Sequence, residues 1–191
     1  MCGRYYIDED DKAVSELIAK IATGPEGDRL LDMKLGEIYP TNTAPVLCAG
    51  GARLMQWGFS RYDGNGKVIN ARSETAMEKP MFQGSMRERR CLLPASGYYE
   101  WQRIGKEKRK HAIFMPGGGM LYMAGLFRLE KNAPLPAFVI LTRDAAPEIT
   151  KIHDRMPVIL PPEAQAQWLS PSGDARAALE AAVGGLQYRA V

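Results

Sequence analysis

Cys2 is the residue of this chain with the most unusual chemistry within reach. It follows the initiator in Met1-Cys2-Gly3-Arg4, and a small residue in second place permits removal of Met1. The trimmed chain would then begin with an α-amine and a thiol on adjacent carbons. An α-amine titrates at about 7.7 to 8.0 and a lysine near 10.4, so at neutral pH the terminal amine is uncharged roughly several hundred times more often. Only an uncharged amine attacks an aldehyde. Once a Schiff base has formed, the thiol of the same residue can close a five-membered thiazolidine, an intramolecular step with an effective concentration of about 10⁵ M or more when well oriented. With Met1 retained, the Cys2 nitrogen is an amide and no such ring can form. The plain alternative is an ordinary buried cysteine near a terminus.

Three further islands place polar groups inside apolar, strand-like sequence, where an unpaired polar group is costly. They are Ile69-Asn70-Ala71-Arg72-Ser73-Glu74-Thr75, Ser96-Gly97-Tyr98-Tyr99-Glu100-Trp101 and Ile152-His153-Asp154-Arg155-Met156-Pro157. A glutamate buried between Tyr99 and Trp101 would be a weaker acid through desolvation, which makes Glu100 a candidate general acid and base. His153 could share its protons. Each island also has a simpler reading: Asn70 as a turn or cap residue, Glu100 as an ion-pair partner, His153 as a hydrogen-bonded core residue.

These groups need a scaffold. The chain has 191 residues, 46% of them hydrophobic, enough to bury one core and too few for two ordinary domains, so a single domain over residues 1–191 is expected. Short apolar runs between turn residues read as strands at Arg53 to Trp57, Lys67 to Ala71, Arg90 to Pro94, Tyr98 to Gln102, Ala112 to Met115, Met120 to Phe127 and Ala137 to Thr142. Helical patterning covers Asp11 to Ile21, a short turn after Ser73, Pro162 to Leu169 and Asp174 to Val183. The expected class is α+β with strands in the majority. Gly105 to Lys110 reads as a basic loop, either a solvated turn or a phosphate contact. Pro116 to Gly119 reads as a tight reversal; it is no phosphate loop, because a strand follows it rather than a helix carrying Lys and Ser/Thr.

Composition narrows the function classes. Cys2, Cys48 and Cys91 are odd in number and widely spaced, which argues against a disulfide framework and fits a reducing compartment. Cys48 and Cys91 read as small hydrophobes. With two histidines, His111 and His153, and no paired cysteines, a metal site has almost no ligands to draw on, and no cofactor is expected. A net charge of +3 permits nucleic-acid binding without requiring it. No apolar run is long enough to span a membrane, and Asp8 to Lys12 do not form a signal peptide. A soluble cytoplasmic protein is expected.

Taken together and in order, the motifs closely resemble the SRAP (SOS-response-associated peptidase) family, whose members shield abasic sites. The matching elements are Cys2-Gly3-Arg4-Tyr5, Pro40 to Pro45, Met55-Gln56-Trp57-Gly58, Asn70-Ala71-Arg72-Ser73-Glu74, Arg90 to Trp101 and His153-Asp154-Arg155-Met156-Pro157. The resemblance implies a barrel-like β core with a few peripheral helices and a basic groove leading to the N-terminus. It implies that Cys2 crosslinks to the open-chain aldehyde of an abasic deoxyribose in single-stranded DNA, and that Asn70 holds the Cys2 backbone and the linkage. By the same likeness Glu100 helps open the sugar and form the Schiff base, with His153 as its partner. Arg4, Arg72 and Arg155 fall where phosphates would be gripped. Trp57 either lines the groove or packs in the core. A monomer that binds abasic single-stranded DNA, and joins the nucleoid when bound, is the expected form. Associated autoproteolytic and lyase activities are left open.

The sequence departs from the family pattern between Gly58 and Asn70, where many members carry a longer loop rich in Trp and Pro. Here only Phe59, Ser60, Arg61, Tyr62 and a Gly-containing turn remain. Many relatives also continue beyond the strand that corresponds to Tyr188-Arg189-Ala190-Val191. The alternative class is an N-terminal-nucleophile glutamine amidotransferase, in which the Cys2 thiol would attack an amide. In that class apolar strand residues follow the cysteine at once, whereas here Arg4 intervenes.

Overall fold

The computed structural model describes residues 2–191. Among these, the elements follow as β1 (Tyr5–Ile7), α1 (Lys12–Ala22), a 3-10 turn (Gly27–Asp32), β2 (Gly36–Ile38), β3 (Thr43–Cys48), β4 (Gly51–Trp57), β5 (Phe59–Ser60), β6 (Lys67–Val68), β7 (Asn70–Arg72) and α2 (Ser73–Ala76). Then come α3 (Pro80–Glu88), β8 (Arg90–Ala95), β9 (Gly97–Ile104), β10 (Glu107–Phe114), β11 (Leu121–Arg128), β12 (Ala137–Asp144), β13 (Arg155–Pro157), α4 (Pro162–Leu169), α5 (Ala175–Glu180) and β14 (Gln187–Ala190). With 38% strand against 23% helix, the chain is α+β with strands in the majority. Met1, on whose removal the aminothiol depends, lies outside the described residues.

Two sheets carry the architecture. In the larger, β11, β8, β3, β4 and β12 are neighbours in that order, and β11 also pairs with β12, so the five strands close on themselves. Closure removes the free edges that an open sheet exposes. β7 runs parallel to β12, with Asn70 opposite Ile140, and β13 pairs antiparallel with the end of β12. The smaller sheet has the order β14-β10-β9-β1-β2. Pro45 stays in β3 because β8 pairs only with Leu47 and Cys48 there, so its missing N–H is not asked for on that side.

Alternation decides what each strand buries. Along β8, Cys91, Leu93 and Ala95 join the core that also holds Tyr5, Ile7, Tyr98 and Ile113 of the smaller sheet, whereas Leu92 faces Phe82, Met86 and Trp168 of the helical layer. α1 presents Val14, Leu17 and Ile21 inward, spaced by three and four residues, and the Asp11 carboxylate caps it by accepting from the Ala13 N–H at 2.9 Å. Asp174 caps α5 in the same way, through the Arg176 and Ala177 N–H groups.

Some elements differ from the sequence reading. The basic loop from Gly105 to Lys110 shrinks to a turn, because β10 already begins at Glu107 and pairs residue by residue with β9. α3 went unread, since Gly84 interrupts a weakly apolar pattern; Arg90, buried, holds the helix end by donating to the Met86 carbonyl and reaches α4 through the Trp168 carbonyl, both at 2.6 Å.

Gly97, the first residue of β9, has no room for a side chain. An added Cβ would stand 2.5 Å from the Ile113 carbonyl oxygen and 2.6 Å from the Tyr6 hydroxyl. Gly97→Ala is expected to cost about 1–3 kcal/mol through overpacking. For a chain of this size each kcal/mol lowers the melting temperature by roughly 2–4 °C. An unchanged melting temperature by calorimetry would contradict the tight contact.

Candidate active site

The N-terminal segment is drawn into the smaller sheet, and that places Cys2. The Tyr99 N–H donates to the Arg4 carbonyl and the Ser96 N–H to the Tyr6 carbonyl, both at 2.9 Å. Cys2 itself is fully buried. Its carbonyl accepts from Asn70 Nδ2 at 2.8 Å, a contact between residues 68 positions apart in sequence. The other atom of the Asn70 amide, Oδ1, is buried and has no hydrogen-bond partner among the described residues.

Asn70 is held by its neighbours rather than by its own side chain. The Ile140 N–H donates to the Ile69 carbonyl at 3.1 Å, and the indole N–H of Trp57 donates to the same oxygen at 3.0 Å. Trp57 is fully buried between Tyr5 and Phe138, with ring centroids 5.3 and 6.1 Å away. Of the two roles left open for Trp57, core packing is therefore the one found; it lines no groove, and it fixes the strand that carries Asn70.

Glu100 and His153 come together from distant parts of the chain. Inward alternation along β9 buries Tyr98 and Glu100, while Tyr99 and Trp101 between and after them are partly exposed. The loop between β12 and β13 is folded by the Ile149 N–H to Ala146 carbonyl and the His153 N–H to Ile149 carbonyl bonds, at 2.8 and 3.1 Å. Gln102 Nε2 donates to the Lys151 carbonyl at 3.0 Å and ties this loop to β9. Glu100, Trp101, Arg103, Lys108, Ile152, His153 and Asp154 line an open cleft of about 380 Å³. His153 Nδ1 lies 3.0 Å from the Arg155 N–H and 2.8 Å from the Asp154 carboxylate. One nitrogen cannot both accept from the first and donate to the second while neutral. Asp154 is largely exposed.

Burial also sets the electrostatics. It pushes the Glu100 carboxyl above the ordinary glutamate range, against the opposing pull of His153. The Cys2 thiol is pushed far up, by burial first and by the Glu100 charge second. It therefore stays a thiol at neutral pH, and the site does not present a ready thiolate. The Tyr5 and Tyr98 hydroxyls, both buried and lacking hydrogen-bond partners among the described residues, are raised by burial and then by proximity to Cys2. Neither tyrosine stands out in the sequence; the alternation that buries Glu100 is the signal that finds Tyr98.

The three arginines have different fates. Arg72 is exposed on the face of β7 that carries Asn70, open to a ligand. Arg155 is not: its guanidinium makes a two-pronged pair with Glu74 at 2.7 and 2.9 Å and also reaches Asp144 at 2.5 Å and the Thr142 carbonyl at 2.7 Å. In this arrangement Arg155 joins α2 to the end of β12. Arg4 pairs with Glu37 at 3.2 Å and lies over Tyr39. Among the described residues no cluster of three or more His, Cys, Asp or Glu could hold a metal, and no helix is long and apolar enough to cross a membrane.

Comparison with known proteins gives a consistent result. The family model "SOS response associated peptidase (SRAP)" matches residues 1–190. "Abasic site processing protein YoaM" of Bacillus subtilis is 38% identical over 109 residues, covering 55% of this chain and 48% of that protein. "Abasic site processing protein YedK" of Escherichia coli is 33% identical over 120 residues, covering 62% and 54%. The matches thus span about half the length of these relatives. A crystal structure of a Bacteroides thetaiotaomicron protein superposes on the whole chain with a TM-score of 0.85 at 21% identity and 92% coverage of that structure, a likeness of fold.

The raised Glu100 carboxyl has a consequence for stability. Its proton is held more tightly in the folded chain than in the unfolded one. The resulting stability is complete below the ordinary glutamate range and is lost as pH rises through the raised value. Glu100→Gln is therefore expected to melt higher than the parent at neutral pH, with the gap closing as pH falls toward 4. A gap that widens on acidification, in melting curves taken across that range, would mean that the carboxyl is held down rather than up.

Proposed function

The chain belongs to the SOS response associated peptidase family, and from that premise we propose that residues 1–191 act as one unit that recognises an abasic site in single-stranded DNA. The trimmed N-terminus bonds covalently to the lesion and shields it. The observation that carries this reading is the Asn70 Nδ2 bond to the Cys2 carbonyl at 2.8 Å, beside a buried glutamate, Glu100, close enough for its charge to act on the Cys2 thiol. Ordered termini are unusual without such ties. Removal of Met1 converts the Cys2 nitrogen from an amide to an amine within this frame, where Asn70 Oδ1 is an acceptor still to be used.

The uncharged amine of Cys2 adds to the aldehyde carbon of the opened sugar and gives a carbinolamine. Glu100, with its carboxyl raised, protonates the departing hydroxyl, and water leaves as the C=N bond forms. The thiol then adds to the same carbon, passing its proton back to the Glu100 carboxylate, while the C=N electron pair returns to nitrogen and leaves a neutral ring N–H. His153 lines the cleft beside Glu100 and moves protons during ring opening. No cofactor takes part, and one copy of the chain suffices. The alternative hydrolase reading asks the thiol to attack first; a buried, protonated thiol beside an acidic residue suits it poorly.

Met1-free protein is expected to form a heat-stable adduct with an abasic single-stranded oligonucleotide, seen on a denaturing gel. Cys2→Ala and Cys2→Ser should form no heat-stable adduct and give only a borohydride-trappable Schiff base, since both keep the amine and lose the sulfur. Glu100→Gln should slow adduct formation by about 10²–10⁴-fold. An unchanged yield with Cys2→Ala would refute the proposal.

A further inference from the structure

The outer face of the smaller sheet carries side chains that the lesion chemistry leaves unused. Lys110 Nζ stands 3.8 Å from the centroid of the Tyr99 ring and 5.9 Å from that of Trp101. The Arg4 guanidinium carbon stands 4.0 Å from the Tyr39 ring and 5.1 Å from Trp101. Glu37 ties the two cations together, accepting from Arg4 at 3.2 Å and from Lys110 at 2.7 Å. Arg4 precedes β1, Glu37 lies in β2, Tyr39 follows β2, Trp101 lies in β9 and Lys110 lies opposite it in β10.

This assembly is set up to receive something flat. Tyr39 is 40% exposed although a guanidinium covers it on one side, so the ring is held in a fixed plane at the surface at little further entropic cost. Trp101 is partly exposed and also lines the cleft of Glu100 and His153, with exposed Arg103 and Lys108 along the same wall. Arg4 and Lys110 outnumber the single carboxylate between them. A surface evolved only for solubility has no need of two aromatic rings among its cations, and a protein-docking patch would be more apolar at its centre. Aromatic rings alternating with cations match the two parts of an unpaired nucleic-acid strand, flat bases and phosphates.

We propose that Tyr39 and Trp101 form a stacking platform for the unpaired bases beside the reacting nucleotide, with Lys110, Arg103 and Lys108 meeting the flanking phosphates. The platform rests on the reading of single-stranded DNA as the partner. Stacking uses the face that every base has, so the platform accepts any base and selects for unpaired strands over duplex.

Trp101 reports its own occupancy. Of the chain's three tryptophans, Trp57 and Trp168 are fully buried. Met1-free protein is titrated with an intact oligothymidylate of about 15 nucleotides, within the site size usual for such surfaces. It has no lesion, so Cys2 chemistry plays no part. Tryptophan fluorescence should be quenched with the same midpoint as the anisotropy of a labelled strand. Tyr39→Ala should bind about tenfold more weakly, in the range for losing one stacked base, and Tyr39→Phe should restore parental binding. Binding by anisotropy with no quenching, or Tyr39→Ala binding as tightly as the parent, overturns the platform and leaves the DNA reading intact. Equal quenching by polyglutamate overturns it in favour of charge alone. Normal quenching by the intact strand, with no adduct on an abasic one, upholds the platform and removes the Cys2 chemistry.

Discussion

A chain terminus is the part of a polypeptide with the most freedom to lose, and a reaction placed there depends on how firmly it is held. In this protein the hold is the Asn70 amide on the Cys2 carbonyl, 2.8 Å long, backed by the pairing of β1 with β9. The rest of the site follows from it. Once Cys2 is fixed beneath the smaller sheet, inward alternation along β9 brings Glu100 to its side, and the Gln102 tie to Lys151 brings the His153 loop to the same cleft. A freely moving aminothiol would have the same reactivity toward aldehydes but no means of choosing one.

Burial serves the chemistry in two ways. It raises the Glu100 carboxyl above the ordinary glutamate range, which suits a donor to a departing hydroxyl, and it keeps the Cys2 thiol protonated, which suits the proposed reaction in which the amine adds first. In the proposed reaction the order of bond formation follows from desolvation. It also costs stability, since the buried carboxyl opposes folding at neutral pH. Such a cost is common where a site is kept ready for a reaction.

Much of the fold was legible because its strands are short, apolar and bounded by turns. The run Ala137 to Thr142 reads as a strand and is the hub of the larger sheet, and α4 over Pro162 to Leu169 was read at its exact limits from its leading proline and apolar spacing. The closure of β11 on β12 is a matter of distant pairing, which periodicity does not record. The site shows the same division. Asn70, Glu100 and His153 declare themselves as polar residues in apolar surroundings; Asn70 bonds to Cys2, Glu100 acts on its thiol, and His153 shares a cleft with Glu100. Trp57 is buried in the core, and Arg155 pairs with Glu74, Asp144 and the Thr142 carbonyl, partners that residue type alone does not announce. Tyr39 gave no signal, because its place beside Arg4 arises from the pairing of β1 with β2.

The central claim is that one residue supplies both atoms that capture the lesion. It is tested most directly by intact mass spectrometry of trimmed protein exposed to an abasic oligonucleotide, followed by peptide mapping of the junction. The account predicts a product equal to protein plus oligonucleotide less one water, with the nucleic acid on the peptide beginning at Cys2 and its sulfur closed to alkylation. A junction mapped to Lys108 or Lys110, or a Cys2 sulfur still open to alkylation in the linked product, would contradict it.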